Sequence, residues 1–216
     1  MEYKHMQFNF RQNADVFKTK SGAFRSAMKK YADFVIVDAP HVLEETIPDS
    51  EGDPAPVRTW WTNNEPVSDS GLEKSINLIK NCVARQGPFH GLLGFSQGAS
   101  LAALYCHQFM KEENPDFNFV IMVSGFISKH LEHLLLTSKT DEKISVKSLL
   151  VVGDQDDIIP TEMSDKVQDY FSDLQELHHP GGHGIPMKAA QKKVFIKFFQ
   201  ECASLCLSKE SEGVTG

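Results

Sequence analysis

The sequence predicts an α/β fold with a mostly parallel central sheet and helices on both of its faces. Three observations carry that expectation. Short apolar runs alternate with longer segments of helical period along most of the chain, the pattern of repeated βαβ units. Several of the runs are apolar at consecutive positions, as a strand buried on both faces requires. A Gly-x-Ser-x-Gly pentapeptide, Gly94 to Gly98, falls where one such run passes into a helical pattern.

Taken in order, strands are expected at residues 34–37, 91–95, 119–123 and 148–152, with a weaker pattern at 174–177. Helices are expected at 14–31, 71–85, 97–111, 162–172 and 187–205. The second helix opens with Ser70 followed three residues later by Glu73, a capping-box spacing that satisfies free N–H groups at a helix start. The fourth opens beside Pro160 with Thr161 as N-cap. In the last, Val194, Phe195, Phe198, Phe199, Cys202 and Leu205 share one face and form a core stripe. Residues 39–70 hold five prolines around the pair Trp60-Trp61 and show no clear period, so they read as a long loop or flap.

At 216 residues the chain suits one domain, 1–207, followed by a small, polar, flexible tail at 208–216. A formal charge of −7 disfavours nucleic acid and anionic surfaces, which are bound through excess Lys and Arg. The apolar runs fall far short of the roughly 20 residues of a membrane span. Glu2, Lys4, His5 and Gln7 interrupt the first ten residues, which therefore lack the apolar core of a secretory signal. The expected location is the cytoplasm, with the nucleus as the alternative. Cys82, Cys106, Cys202 and Cys206 fall in apolar helical patterns and are expected as buried free thiols. Nothing in the sequence indicates an oligomeric state.

The chemistry concentrates in three loops. In Gly94-Phe95-Ser96-Gln97-Gly98 a strand enters, a sharp turn carries Ser, and small flanking residues let strand and helix approach, which together describe a nucleophile elbow. Serine needs a base within hydrogen-bond reach, and the base needs an orienting acid. In the α/β-hydrolase fold these follow the nucleophile in the order acid, then His, each after a later strand. The run 148–152 ends in a loop where Asp154, Asp156 and Asp157 compete for the acid's role. The glycine-rich stretch His179-Pro180-Gly181-Gly182-His183 follows the last strand and offers His183 as base. His178, His179 and His183 could group around a metal, but no second ligand set with zinc-like spacing accompanies them, so neither metal nor cofactor is expected. The oxyanion of acyl transfer would be met by the backbone N–H of Gln97 and by one from an early loop near Phe10, Arg11 and Gln12.

The stretch from Gly87 through Gly98, together with Val123-Ser124-Gly125-Phe126, Gly153 through Pro160 and Gly182-His183, closely resembles the FSH family of serine hydrolases. The resemblance runs from about residue 10 to about residue 205. It implies an α/β-hydrolase fold, hydrolysis of carboxylic esters, a triad of Ser96, Asp156 and His183, and a signature Arg58-Thr59-Trp60-Trp61 beside the site. The chain departs from the family where a His-Gly-Phe-x-Gln-Asn-like loop is replaced by Phe8-Asn9-Phe10-Arg11-Gln12-Asn13. The first strand then looks truncated, and Phe10 stands where the second oxyanion donor belongs.

The expected substrate is a small-molecule ester, with Trp60, Trp61, Phe95 and Phe126 as lining for an alkyl-chain acyl group. Two alternatives use the same residues: a hydrolase-like binding protein weakened at the oxyanion hole, and a thioesterase.

Overall fold

A computed structural model describes residues 4–8, 14–49, 51–62, 71–109, 116–137 and 142–213. Six strands form one parallel sheet: β1 (Lys4–Phe8), β2 (Asp33–Ile36), β5 (Gly91–Phe95), β6 (Phe119–Val123), β7 (Lys147–Gly153) and β8 (Leu174–His179), in the order β2-β1-β5-β6-β7-β8. Two further strands, β3 (His41–Pro48) and β4 (Pro54–Thr59), pair antiparallel as a separate hairpin.

The sheet's position between two helical layers follows from the side-chain alternation of its strands. Leu92, Val120, Met122, Leu150 and Val152 join one buried cluster, with Ile79, Leu101, Leu104 and Tyr105. Leu93, Phe95, Phe119, Ile121, Leu149 and Val151 join the other, with Phe17, Phe24, Phe195 and Phe198. Helices α3 (Leu72–Gln86) and α4 (Gln97–Phe109) thus cover one face. Helices α1 (Ala14–Lys20), α2 (Gly22–Met28) and α7 (Ala189–Gly213) cover the other. A strand such as β7 needs apolar residues at consecutive positions, Leu149 to Val152, because both faces are dry. The four cysteines are buried and none is in a disulfide, and burial pushes the Cys106 and Cys202 thiols well above their ordinary values.

The first strand is short but intact. Its five residues pair with β2 from Lys4 to Gln7 and with β5 from His5 to Phe8. Strand β5 therefore has a neighbour on each side, and β1 is paired with both of its neighbours where it was expected to be truncated.

Other elements depart from expectation for local reasons. The first helix breaks at Ser21, whose buried hydroxyl donates to the Phe17 carbonyl at 2.7 Å ahead of Gly22, a Ser-Gly pairing that competes with the helical ladder. Pro160, not Thr161, occupies the N-cap of α6 (Thr161–Asp165) with φ −54° and ψ 149°, and Thr161 is already the first helical residue. The segment expected as one helix continues from α6 as a 3₁₀ turn, Lys166–Tyr170. The helix expected to end at residue 205 runs on to Gly213, through the stretch expected as tail. Ser70, the proposed capping residue of α3, lies outside the described residues, and Gly71 occupies its N-cap with a left-handed backbone. A helix the periodicity did not reveal, α5 (Lys129–Thr137), starts at Ser128, whose Oγ accepts the Leu131 N–H at 3.2 Å.

The hairpin β3–β4 replaces much of the expected loop. Its turn is closed by the Asp49 carboxylate, whose Oδ1 accepts the N–H groups of Glu51 and Asp53 at 2.8 and 3.0 Å. Pro48, Pro54 and Pro56 are tolerated because a two-stranded ribbon consists only of edges.

Candidate active site

Four adjacent strands, β5 to β8, deliver the polar residues of the site at their C-terminal ends. Ser96 leaves β5 with a left-handed backbone, φ 56°, a conformation uncommon for a residue with a Cβ. Its N–H continues the sheet by donating to Val123 O at 2.9 Å, and its C=O accepts the N–H groups of Ala99 and Ser100, starting α4. A Cβ at Gly94 would collide with the backbone of Gly98 and Ala99. Only glycine there lets strand and helix meet closely enough to hold the turn.

The acid loop follows β7. Asp154 and Asp157 are exposed, whereas Asp156 is buried, which separates the three candidates. Asp156 Oδ1 accepts the backbone N–H groups of Ile158 and Ile159 at 3.0 and 2.8 Å. Its Oδ2 accepts Nδ1–H of His183 at 2.8 Å; the ionised carboxylate can only accept, so the imidazole donates from Nδ1 and leaves Nε2 as its basic nitrogen. Burial pushes the Asp156 carboxyl up, but the Ile159 N–H, the His183 ring and the Ser124 hydroxyl outweigh it and hold the group below its ordinary value.

The base loop follows β8 and is locked to the acid loop backbone to backbone. Asp154 N–H donates to His179 O at 2.8 Å and Gln155 N–H to Gly181 O at 3.1 Å. The approach is too close for side chains: a Cβ at Gly153 would lie 2.7 Å from the carbonyl oxygens of both Gly181 and Gly182. His179 supports the turn from below, its Nδ1 accepting the Gly181 N–H at 3.2 Å. Burial lowers the His179 pKa against the opposing pull of Asp154 and Asp156, the direction that suits an Nδ1 acting as acceptor. The His183 imidazole then packs on the Phe95 ring, centroids 4.6 Å apart, one residue from Ser96.

Gln97 does more than its backbone position indicated. Its side-chain Oε1 accepts the Thr59 hydroxyl and the Trp60 N–H, each at 2.8 Å, and its Nε2 donates to Trp61 O at 3.2 Å. The end of the hairpin is thereby fastened to the residue after Ser96. Nothing in the spacing distinguishes a buried amide with three partners from an exposed one.

The expected aromatic lining is placed otherwise. Trp60 and Trp61 are buried at 0% and 4% exposure in the core beside α3 and α4, with Trp61 against His130. Fully enclosed rings offer a ligand no surface, so both are core residues. Phe95 lies between Phe17 and His183 in the opposite layer. Phe126 is half-buried, and its carbonyl accepts the Ser100 hydroxyl at 2.7 Å. A cavity of about 460 Å³ opens instead beside His183, lined by Ile185, Pro186, Met187 and Gln191 among others. Phe10 lies outside the described residues. Among the described residues no three His, Cys, Asp or Glu side chains gather as a metal would require, and no helix is long and apolar enough to cross a membrane.

A family profile described as serine hydrolase (FSH1) matches residues 8–195. The chain belongs to the serine hydrolase (FSH1) family. Among its relatives, an esterase of Drosophila melanogaster, CG5412, is 40% identical over 205 residues, covering 89% of this chain and 71% of the relative. The esterase OVCA2 of Homo sapiens is 34% identical over 216 residues, covering 90% and 93%. Among solved structures, esterase PE8 aligns with a TM-score of 0.62 over 93% of this chain and 92% of that one at 20% identity. Acyl-protein thioesterase 2 of Zea mays aligns at 0.60 over 93% and 94% at 16% identity. These place this FSH1-family chain in the α/β-hydrolase fold.

Proposed function

We propose that the protein is a serine esterase whose triad is Ser96, His183 and Asp156. The observation that carries this reading is the 2.8 Å Asp156–His183 hydrogen bond, presented with the imidazole against Phe95 beside a left-handed Ser96. His183 Nε2 takes the Ser96 proton as Oγ attacks the ester carbonyl, and returns it to the departing alcohol as the C–O bond breaks. Water then adds to the acyl-enzyme with His183 again as base, releasing the carboxylic acid and restoring Ser96. Asp156 stays ionised throughout and stabilises the imidazolium.

The Gln97 N–H, first in α4, serves as one oxyanion donor, and Phe10 N–H as the other. Residues 1–207 act as one catalytic unit, because every strand that carries a triad residue belongs to the same sheet. The cavity beside His183 takes the alkyl chain of the substrate, since its size suits a small ligand and Ile185, Pro186 and Met187 give it apolar walls. The esterase names of the relatives favour an oxygen ester.

The test is turnover of p-nitrophenyl esters of increasing acyl length. Wild-type protein hydrolyses them, and Ser96→Ala loses on the order of 10⁶ in kcat if the triad works as a unit. Unchanged turnover in that variant removes the reading.

A further inference from the structure

Ser124 follows β6 at the middle of the site and carries two costs at once. Its backbone is left-handed, φ 49°, which among the described non-glycine residues it shares only with Ser96. Its side chain is buried, and its Oγ has no hydrogen-bond partner among the described residues. Strained backbone and unpaired buried hydroxyls are both unfavourable and persist where surrounding structure imposes them.

The surroundings do impose the position. Ser124 N–H donates to Val151 O at 2.8 Å. The Ser164 hydroxyl holds Gly125 O at 2.8 Å, and the Ser100 hydroxyl holds Phe126 O at 2.7 Å. With β6 lying between β5 and β7, this pinned residue stands between the strand that ends at Ser96 and the strand that leads to Asp156.

An acceptor vacancy matches the unused donor. An ionised carboxylate has about four acceptor positions. Asp156 Oδ1 uses two for Ile158 and Ile159, while Oδ2 uses one for His183. Ser124 N–H donates to Val151 O and Asp156 N–H to Gly153 O, so both residues lie just past the C-terminal ends of the paired strands β6 and β7, and the Ser124 hydroxyl helps hold the Asp156 carboxyl low. The other titratable groups around this carboxylate are His183 and His179, and Asp154 faces His179 in turn.

We propose that Ser124 is a positioning residue of the triad: through a small χ1 change its hydroxyl donates to the free acceptor position of Asp156 Oδ2 and fixes the carboxylate plane for His183. The role rests on the triad reading and extends it to a fourth side chain. Glycine at this position would relieve the backbone but would supply no donor.

Ser124→Gly keeps the left-handed backbone without strain and removes only the hydroxyl, and Ser124→Ala serves as a second probe. Two measurements decide. The Asp156 carboxyl is titrated by ¹³C NMR in folded protein without substrate, and kcat and KM are measured on a p-nitrophenyl ester. The expected result is an Asp156 midpoint moved to higher pH in both variants, with kcat lowered about 5- to 50-fold and KM nearly unchanged, the signature of a misoriented catalytic group. An unmoved midpoint with kcat near wild type in Ser124→Gly overturns the proposal. So does an unmoved midpoint with raised KM, which would assign the hydroxyl to substrate instead. Because the titration needs no turnover, a wild-type protein without esterase activity would sink the triad reading while the Asp156 midpoint still decided the Ser124 pairing.

Discussion

The imidazole of His183 packs against the ring of Phe95, with centroids 4.6 Å apart and planes tilted by 48°, so the proposed base contacts the side chain just before Ser96. Phe95 also packs against Phe17, with ring centroids 6.3 Å apart and planes 24° apart. This packing joins the last functional loop of the chain to the nucleophile strand without a hydrogen bond.

Phe95→Ala removes that contact. The expected outcome is a kcat lowered about 10- to 100-fold, as for other small displacements of a catalytic group, with a loss of stability of about 3–5 kcal/mol for a buried aromatic. Phe95→Leu should recover most of the stability and only part of the rate. Steady-state kinetics beside urea unfolding checks this, and equal rates in Leu and wild type would deny the ring its positioning role.

Gly153→Ala would place a methyl group 2.7 Å from two carbonyl oxygens of the base loop. The loops must part, so stability should fall by about 1–3 kcal/mol, the usual range for overpacking. Activity should fall with it, because the same displacement lengthens the Asp156–His183 bond. A melting curve and an ester assay on one preparation measure both.

The acid side of the stability profile should carry Asp156. Its folded pKa lies below the ordinary 3.8, so its contribution is fully present above the unfolded value and is lost as pH falls through the folded one. Wild type should therefore exceed Asp156→Asn in stability above about pH 5, and the margin should shrink below about pH 4. Activity of the Asn variant at neutral pH should drop by roughly 10⁴, since an amide no longer enforces the imidazole tautomer. Urea unfolding from pH 3 to 7 gives the margin directly.

Gln97→Ala should loosen the hairpin more than the elbow. It leaves the buried Trp60 N–H without its Gln97 acceptor, a loss worth about 1–3 kcal/mol. Amide exchange should accelerate through β4 and much less through β5. Uniform acceleration in both would show that the amide holds no particular element.

Much of this was legible in the chain. Runs apolar at every position, such as Leu149 to Val152, admit few readings besides a strand between two helical layers, and β5 and β6 fall on their expected residues. The elbow was legible because Gly94 is a steric necessity. The hairpin was not, because a ribbon of two edge strands tolerates prolines that mask the strand signal, and the buried Ala55 and Val57 of β4 alternate with exposed Pro54 and Pro56. Among Asp154, Asp156 and Asp157 the spacing left the choice open and the family resemblance selected Asp156, which is buried and accepts the N–H groups of Ile158 and Ile159. Trp60 and Trp61 illustrate the reverse case: large aromatics beside a motif suit a pocket and a core equally well, and the side-chain amide of Gln97 draws their backbone inward.

The central claim is that Ser96 is an activated nucleophile, and covalent capture tests it most directly. Folded protein is treated with a fluorophosphonate, and the intact mass and modified peptide are read by mass spectrometry. A single adduct on Ser96, absent from Ser96→Ala and strongly slowed in His183→Ala, is the predicted result. Folded wild-type protein that stays unmodified, or carries its adduct on another residue, would contradict it.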